Sequence, residues 1–129
     1  RKLVSEGAMI SKISFASIPV TDLDRAKAFW SETMGFEVSV DVEAIPGMRW
    51  IMLRVGTAET QLHLNDVKEM PETSMPALPF TASDVSGTIE DLRAKGVEIV
   101  REPGPAEWDA SMTYALFRDS EGNVIMVGS

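Results

Sequence analysis

The chain has 129 residues, of which 44% are hydrophobic and 25% charged, with no cysteine and a formal net charge of -8. That length is one domain with room for a core. No apolar run approaches a membrane span, no charged-then-apolar leader opens the chain, and disulfides and thiolate metal ligands are excluded. The acidity, with no basic patch to offset it, argues against a nucleic-acid partner and favours solubility and attraction of cationic small molecules, while the missing cysteine fits a reducing cytoplasm.

Residues 1–8 show no period and precede Met9; they read as a cloning remnant or frayed leader, leaving 9–129 as a single domain. Ile13 to Val20 alternates, with Ala16, Ile18 and Val20 on one face and Phe15, Ser17 and Pro19 on the other, as a strand does. Thr21 and Asp24 have the spacing of a capping box. Leu23, Ala26, Phe29, Trp30 and Thr33 then follow at helical spacing until Gly35. Phe36, Val38, Val40 and Val42 alternate with Glu37, Ser39 and Asp41 as a second strand, Ile45 to Met48 reads as a turn, and strands follow over Met48–Val55 and Thr60–Asn65. Residues 66–76 carry no period and two prolines, a linker. Beyond it Ala77–Ala82 is a strand, and Asp84 caps a helix carrying Val85, Ile89 and Leu92 that Gly96 ends. Val97–Arg101 is a strand, Glu102–Ala110 a loop, and Met112–Arg118 and Val124–Val127 a hairpin pair.

The order strand, helix, three strands therefore occurs twice. Asp22 and Asp84 stand 62 residues apart, and Gly35 and Gly96 stand 61 apart. The spacing predicts an α+β fold of two tandem βαβββ modules, module one over 13–65 and module two over 77–128, forming a curved mixed sheet. One strand face is aliphatic and suits the helices: Ile18, Val20, Ile51, Leu53, Leu62, Leu64, Ile125 and Val127. The other carries Phe15, Ser17, Met48, Trp50, Met52, Arg54, Gln61, His63, Ala77, Thr81, Val124 and Met126. A solvent face would be richer in Lys and Glu; an apolar face with a few polar groups suits a ligand cup, or else a packed barrel or subunit interface.

Ile18-Pro19-Val20-Thr21-Asp22-Leu23-Asp24-Arg25-Ala26, Phe29-Trp30, Gly35-Phe36, Asp84-Val85, Gly96-Val97-Glu98 and the closing Phe117-Arg118-Asp119-Ser120-Glu121-Gly122-Asn123-Val124-Ile125 resemble the vicinal oxygen chelate superfamily. Glyoxalase I, bleomycin- and fosfomycin-resistance proteins and extradiol dioxygenases belong to that group. Ser120 replaces the proline of the family's ending. The resemblance implies four metal-ligand positions on the concave sheet of the metal-dependent members, and this chain has Phe15, His63, Ala77 and Met126 there. One histidine cannot hold a catalytic divalent ion, which normally takes about three protein ligands, so neither metal nor cofactor is assigned.

The expected ligand-binding residues are Phe15, Trp50, Met52, His63, Trp108 and Met126, with His63 the candidate catalytic group. Glu102 and Glu107 flank Trp108 in a loop able to cover the cup. Ser17 and Thr81 can be drawn with His63 as a nucleophile pair, although their spacing gives no support for an activated hydroxyl. Two readings stand at this point. One is a metal-independent protein of the resistance or sequestration type, binding a small hydrophobic or aromatic molecule, cationic ones included. The other is a lyase, isomerase or dioxygenase, either with His63 as base or with a non-standard metal site built on residues such as Glu59 or Asp66. The resemblance further implies a homodimer with a small-molecule partner, while the missing cysteine and the lack of a long apolar run point to the cytoplasm and to no membrane.

Overall fold

The computed structural model describes residue 7 and residues 9–129, so the reading of residues 1–8 lies, Gly7 apart, outside the described residues. Module one is β1 (Phe15–Val20), α1 (Leu23–Ala28) continued by a π-helical turn (Phe29–Thr33), β2 (Glu37–Ile45), β3 (Met48–Arg54) and β4 (Gln61–Asp66). Module two is β5 (Leu78–Thr81), α2 (Val85–Ala94), β6 (Ile99–Pro105), β7 (Thr113–Arg118) and β8 (Val124–Gly128). Each module folds its strands into one four-stranded sheet, ordered β1-β4-β3-β2 and β5-β8-β7-β6. The first and last strand of each module pair in parallel, and the other neighbours are antiparallel. The α+β architecture of two βαβββ modules is thus the one the repeat predicts.

Both helices begin on an aspartate and end on a left-handed glycine. The N-cap of α1 is Asp22, whose carboxylate accepts from the Arg25 amide at 3.0 Å, and not Thr21 as the spacing suggested. Thr21 is engaged from the other module instead: its amide and hydroxyl both donate to Glu121. Asp84 caps α2 through the Gly87 amide. Gly35 and Gly96 sit at φ +78 and +84, where an L side chain is strained.

The aliphatic strand faces of both modules meet the helices in a single core containing Ile18, Val20, Ile51, Leu53, Leu62 and Leu64 together with Ile89, Phe117, Ile125 and Val127. Trp30, fully buried, joins the modules: its ring lies 5.7 Å from both Phe36 and Phe80, which are 5.8 Å from each other. The wide π turn, closed by the Met34 amide on the Phe29 carbonyl, carries this tryptophan. Its indole Nε1 has no hydrogen-bond partner. Polar ties reinforce the seam, with Asn123 Nδ2 donating to the Pro19 carbonyl at 2.9 Å and Lys95 Nζ to the Thr33 carbonyl at 3.0 Å.

Two strands depart from the sequence expectation for one reason, a β-bulge. In β2 the pairing jumps from Val38–Leu53 to Val40–Met52, leaving Ser39 as the extra residue. Phe36 and Val38 therefore pack on the core, whereas Val40 and Val42 pair with Met52 and Trp50 on the other face. Asp41 is turned to the helix side, where Lys27 and Arg49 bind it at 2.7 and 2.8 Å and hold its carboxyl below the usual range. In β6 the pairing jumps from Ile99–Phe117 to Arg101–Leu116, leaving Val100 extra. β6 also continues to Pro105, through residues the sequence placed in a loop. Its prolines are tolerated because β6 is an edge strand and Pro103 falls in a second irregular stretch.

Candidate functional site

The faces turned away from the core carry the candidate site. In module one the register lines up Ser17, His63, Met52 and Val40 across the four strands. Phe15 and Trp50 lie two positions from Ser17 and Met52 along their strands and so share that face. Trp50 stacks on the His63 ring at 3.9 Å between centroids and 30° between planes. Phe15 meets both rings edge-on, at 5.6 Å from Trp50 and 5.2 Å from His63. Phe15 is exposed and Trp50 half-buried, while Met52 and His63 are buried. Four of the six expected binding residues thus gather on module one.

The matching row in module two is Pro79, Met126, Leu116 and Arg101. Met126 occupies the place His63 has in module one, and Arg101 the place of Val40. Trp108, 60% exposed, projects from the β6–β7 connection against the buried Tyr114, 5.0 Å between ring centroids. The Arg101 guanidinium lies 3.8 Å over the same tyrosine ring and donates to the carbonyls of Tyr114 and Pro105. The Tyr114 hydroxyl donates to Glu107 at 3.0 Å. Trp108 and Met126 therefore belong to a second cluster, and no aromatic contact among the described residues joins it to Phe15, Trp50 and His63.

Sequence reasoning missed Arg101, Tyr114 and Val40. Tyr114 was within reach, because it alternates with the core residues Ala115 and Phe117 in β7. Arg101 and Val40 were not, since both reach the open face only through the bulges. Ala77, expected on the open face, packs against the core instead, its amide bonded to the Val124 carbonyl. Thr81 lines a cavity at the module seam rather than facing His63.

His63 has a definite setting. Its Nδ1 lies 2.8 Å from Ser17 Oγ, the residue paired with it across β1 and β4, so the hydroxyl–imidazole contact that spacing alone did not support is formed. Burial holds the imidazole pKa below its ordinary value, which disfavours the charged ring. Beside it Gln61 and Ser39 hydrogen-bond to each other, and Ser39 also donates to the Met52 carbonyl.

The metal chemistry of the resembling proteins does not fit these residues. Among the described residues no three His, Asp or Glu side chains converge closely enough to hold an ion. The neighbours of His63 are a hydroxyl and two aromatic rings. The seam between the modules holds a cavity of about 530 Å³, lined by Met34, Phe36, Val55, Phe80, Phe117 and Val127 among others. No charged residue lines it and its polar side chains are threonines, so the cavity offers apolar volume but no acid, base or imidazole. The chemically distinctive side chains lie on the opposite faces of the sheets, and those faces are the candidate site. No helix among the described residues is long and apolar enough to cross a membrane.

A family model described as Glyoxalase/Bleomycin resistance protein/Dioxygenase superfamily matches residues 12–127. The Bacillus subtilis (strain 168) protein YetH is 32% identical over 121 residues, covering 92% of this chain and 98% of its own. The crystal structure of TnmS3, an antibiotic binding protein from Streptomyces sp. CB03234, superposes with a TM-score of 0.80 at 32% identity, covering 93% of this chain and 96% of that one. A superfamily member from Sphaerobacter thermophilus DSM 20745 shares the fold with a TM-score of 0.82 at 24% identity, over 94% of this chain and 98% of that one. With the family match spanning nearly the whole chain and relatives above 30% identity over more than nine-tenths of it, the chain belongs to the glyoxalase/bleomycin resistance protein/dioxygenase superfamily.

Proposed function

We propose that this protein binds a small hydrophobic or aromatic organic molecule, cationic ones included, on the concave sheet faces, as a sequestering or resistance-type protein without a metal. The observation that carries this reading is the mutual contact of Phe15, Trp50 and His63 over a floor of Met52 and Val40. An apolar concave surface with few polar groups is the usual make-up of a small-molecule site. Likeness to an antibiotic binding protein at 32% identity supports it. Phe15, Trp50, Met52 and His63 form one wall of the cup, and Trp108 and Met126 belong to the other.

Each chain presents the two walls on separate modules, which favours a homodimer in which walls from two chains face each other. Exposed Met9, Ile10 and Ile13 beside β1, and Val42, Ile45 and Met48 on the β2–β3 hairpin, supply apolar surface for such a contact. The test of function is a fluorescence titration with flat aromatic compounds, which should quench Trp50 on binding. Saturable binding unaffected by Trp50→Ala would place the site elsewhere.

A metal-independent enzyme with His63 as base is the second reading, favoured by the Ser17–His63 hydrogen bond. It ranks behind binding because no carboxylate among the described residues contacts His63 to stabilise the imidazolium that proton abstraction creates. Turnover abolished by His63→Ala with ligand affinity retained would move it ahead.

A further inference from the structure

His63 is the only histidine of the chain and is 7% exposed. Its two ring nitrogens are not equivalent. Nδ1 is committed to Ser17. Nε2 has no hydrogen-bond partner among the described residues. Among the described residues the buried side-chain nitrogen or oxygen without a partner is Trp30 Nε1, so His63 Nε2 belongs to the small part of that ring left open. A ring nitrogen at the open edge of an aromatic wall meets water when the site is free and can exchange that water for a polar atom of a ligand. The identity of that partner follows from the proton. A neutral imidazole has one donor and one acceptor nitrogen, and its intrinsically favoured tautomer carries the proton on Nε2. That tautomer leaves Nδ1 as an acceptor for the Ser17 hydroxyl, whose hydrogen bond also holds the ring in place.

We infer that His63 is a specificity-determining residue whose Nε2–H donates to a hydrogen-bond acceptor, such as a carbonyl oxygen, on the edge of a planar aromatic ligand lying against Trp50 and Phe15, with Ser17 as the positioning residue behind it. This rests on the binding function proposed above and narrows it to aromatic compounds that carry an acceptor. Purely hydrocarbon rings fill the same apolar surface but leave the donor unmet, and they bind about tenfold more weakly, the effect of one modest hydrogen bond.

The test uses 1-indanone and indane, one flat bicycle with and without a carbonyl, able to lie against the exposed Phe15 and the half-buried Trp50. Because the chain has one histidine, a long-range ¹H–¹⁵N spectrum of uniformly labelled protein reports its tautomer without assignment by mutation. The expected result is an Nε2–H tautomer in the free protein, a shift of Nε2 on adding indanone but not indane, and affinity for indanone about tenfold higher. His63→Phe should bring the two affinities together. Three outcomes overturn the inference. An Nδ1–H tautomer does so outright. Equal affinities, with the Trp50 indole signal moving and the imidazole signals still, do so while the binding function stands. Neither compound moving Trp50 sinks both.

Discussion

Glu121, at the tip of the β7–β8 hairpin in module two, accepts a hydrogen bond from Arg25 Nε of α1 in module one at 2.7 Å, across 96 residues of sequence. Its other oxygen accepts from the amides of Thr21 and Asp22, at 2.9 and 3.0 Å, and from Arg25 Nη2 at 2.9 Å. The carboxylate is fully buried while the guanidinium is half-exposed. One acidic side chain therefore covers the positive N-terminal end of the other module's helix. Removing it strands two helix-start amides and a cation. Glu121→Ala is expected to destabilise the fold by about 3 kcal/mol, the lower end of the range for breaking a buried pair because Arg25 reaches water. Glu121→Gln keeps an acceptor and should lose roughly half as much. Urea unfolding of the two variants measures both, and equal stabilities for Ala and wild type would refute the latch.

The same contact sets an acid limit. Burial alone would raise the Glu121 carboxyl, but the hydrogen bonds from Arg25, Thr21 and Ser120 outweigh it and hold the pKa at about 2 against an ordinary 4.5. A carboxyl whose folded pKa is depressed stabilises the fold fully above its unfolded value and loses that contribution as pH falls through the folded one. Stability should therefore drop between pH 4.5 and 2, by about 3 kcal/mol at most. Glu121→Gln should flatten that part of the profile, read by thermal unfolding across the range.

Ligand binding should depend on Trp50. Truncating an aromatic anchor costs about 2 kcal/mol, which is roughly thirtyfold in affinity. Trp50→Ala is expected to show that loss, and Trp30→Phe, in the core, is not. Isothermal titration with any verified ligand separates the two.

Dialysed protein should contain far less than one zinc, iron or nickel ion per chain, since among the described residues no three His, Asp or Glu side chains come together to hold one. Elemental analysis near one ion per chain, lost on His63→Ala, would require a ligand set the fold does not assemble.

Light scattering at micromolar concentration should give the mass of two chains. Replacing Ile45 and Met48 on the exposed hairpin with Lys should shift it toward one. A wild-type monomer at high micromolar concentration would contradict the dimer.

Much of the architecture was legible because the chain states it twice. The aspartates and glycines that bracket each helix recur at nearly one offset, and alternation marked the core faces of β1, β3, β4 and β8 correctly. The grouping of Trp50, Met52 and His63 followed from strand periodicity alone. Legibility stopped where the backbone breaks period. Ser39 has no distinguishing side chain as a bulge residue, so Val38 and Val40 read as neighbours on one face although they point to opposite ones. Thr21 looked like a cap because its true partner, Glu121, is 100 residues away. Long-range polar pairs leave no local signal, and Ser17–His63 is another, 46 residues apart.

The bulges at Ser39 and Val100 stand 61 residues apart, at equivalent places in the two modules. Each acts as a one-residue switch of sidedness. Were Ser39 drawn into regular pairing, Val40 and Asp41 would trade places, turning an oily wall acidic and withdrawing the carboxylate from Lys27 and Arg49, whereas deleting Ser39 leaves both on their present faces. Regular pairing of Val100 would likewise swing Arg101 away from Tyr114. A scaffold of this kind sets the chemistry of its binding surface by where a strand carries one residue more than its partner.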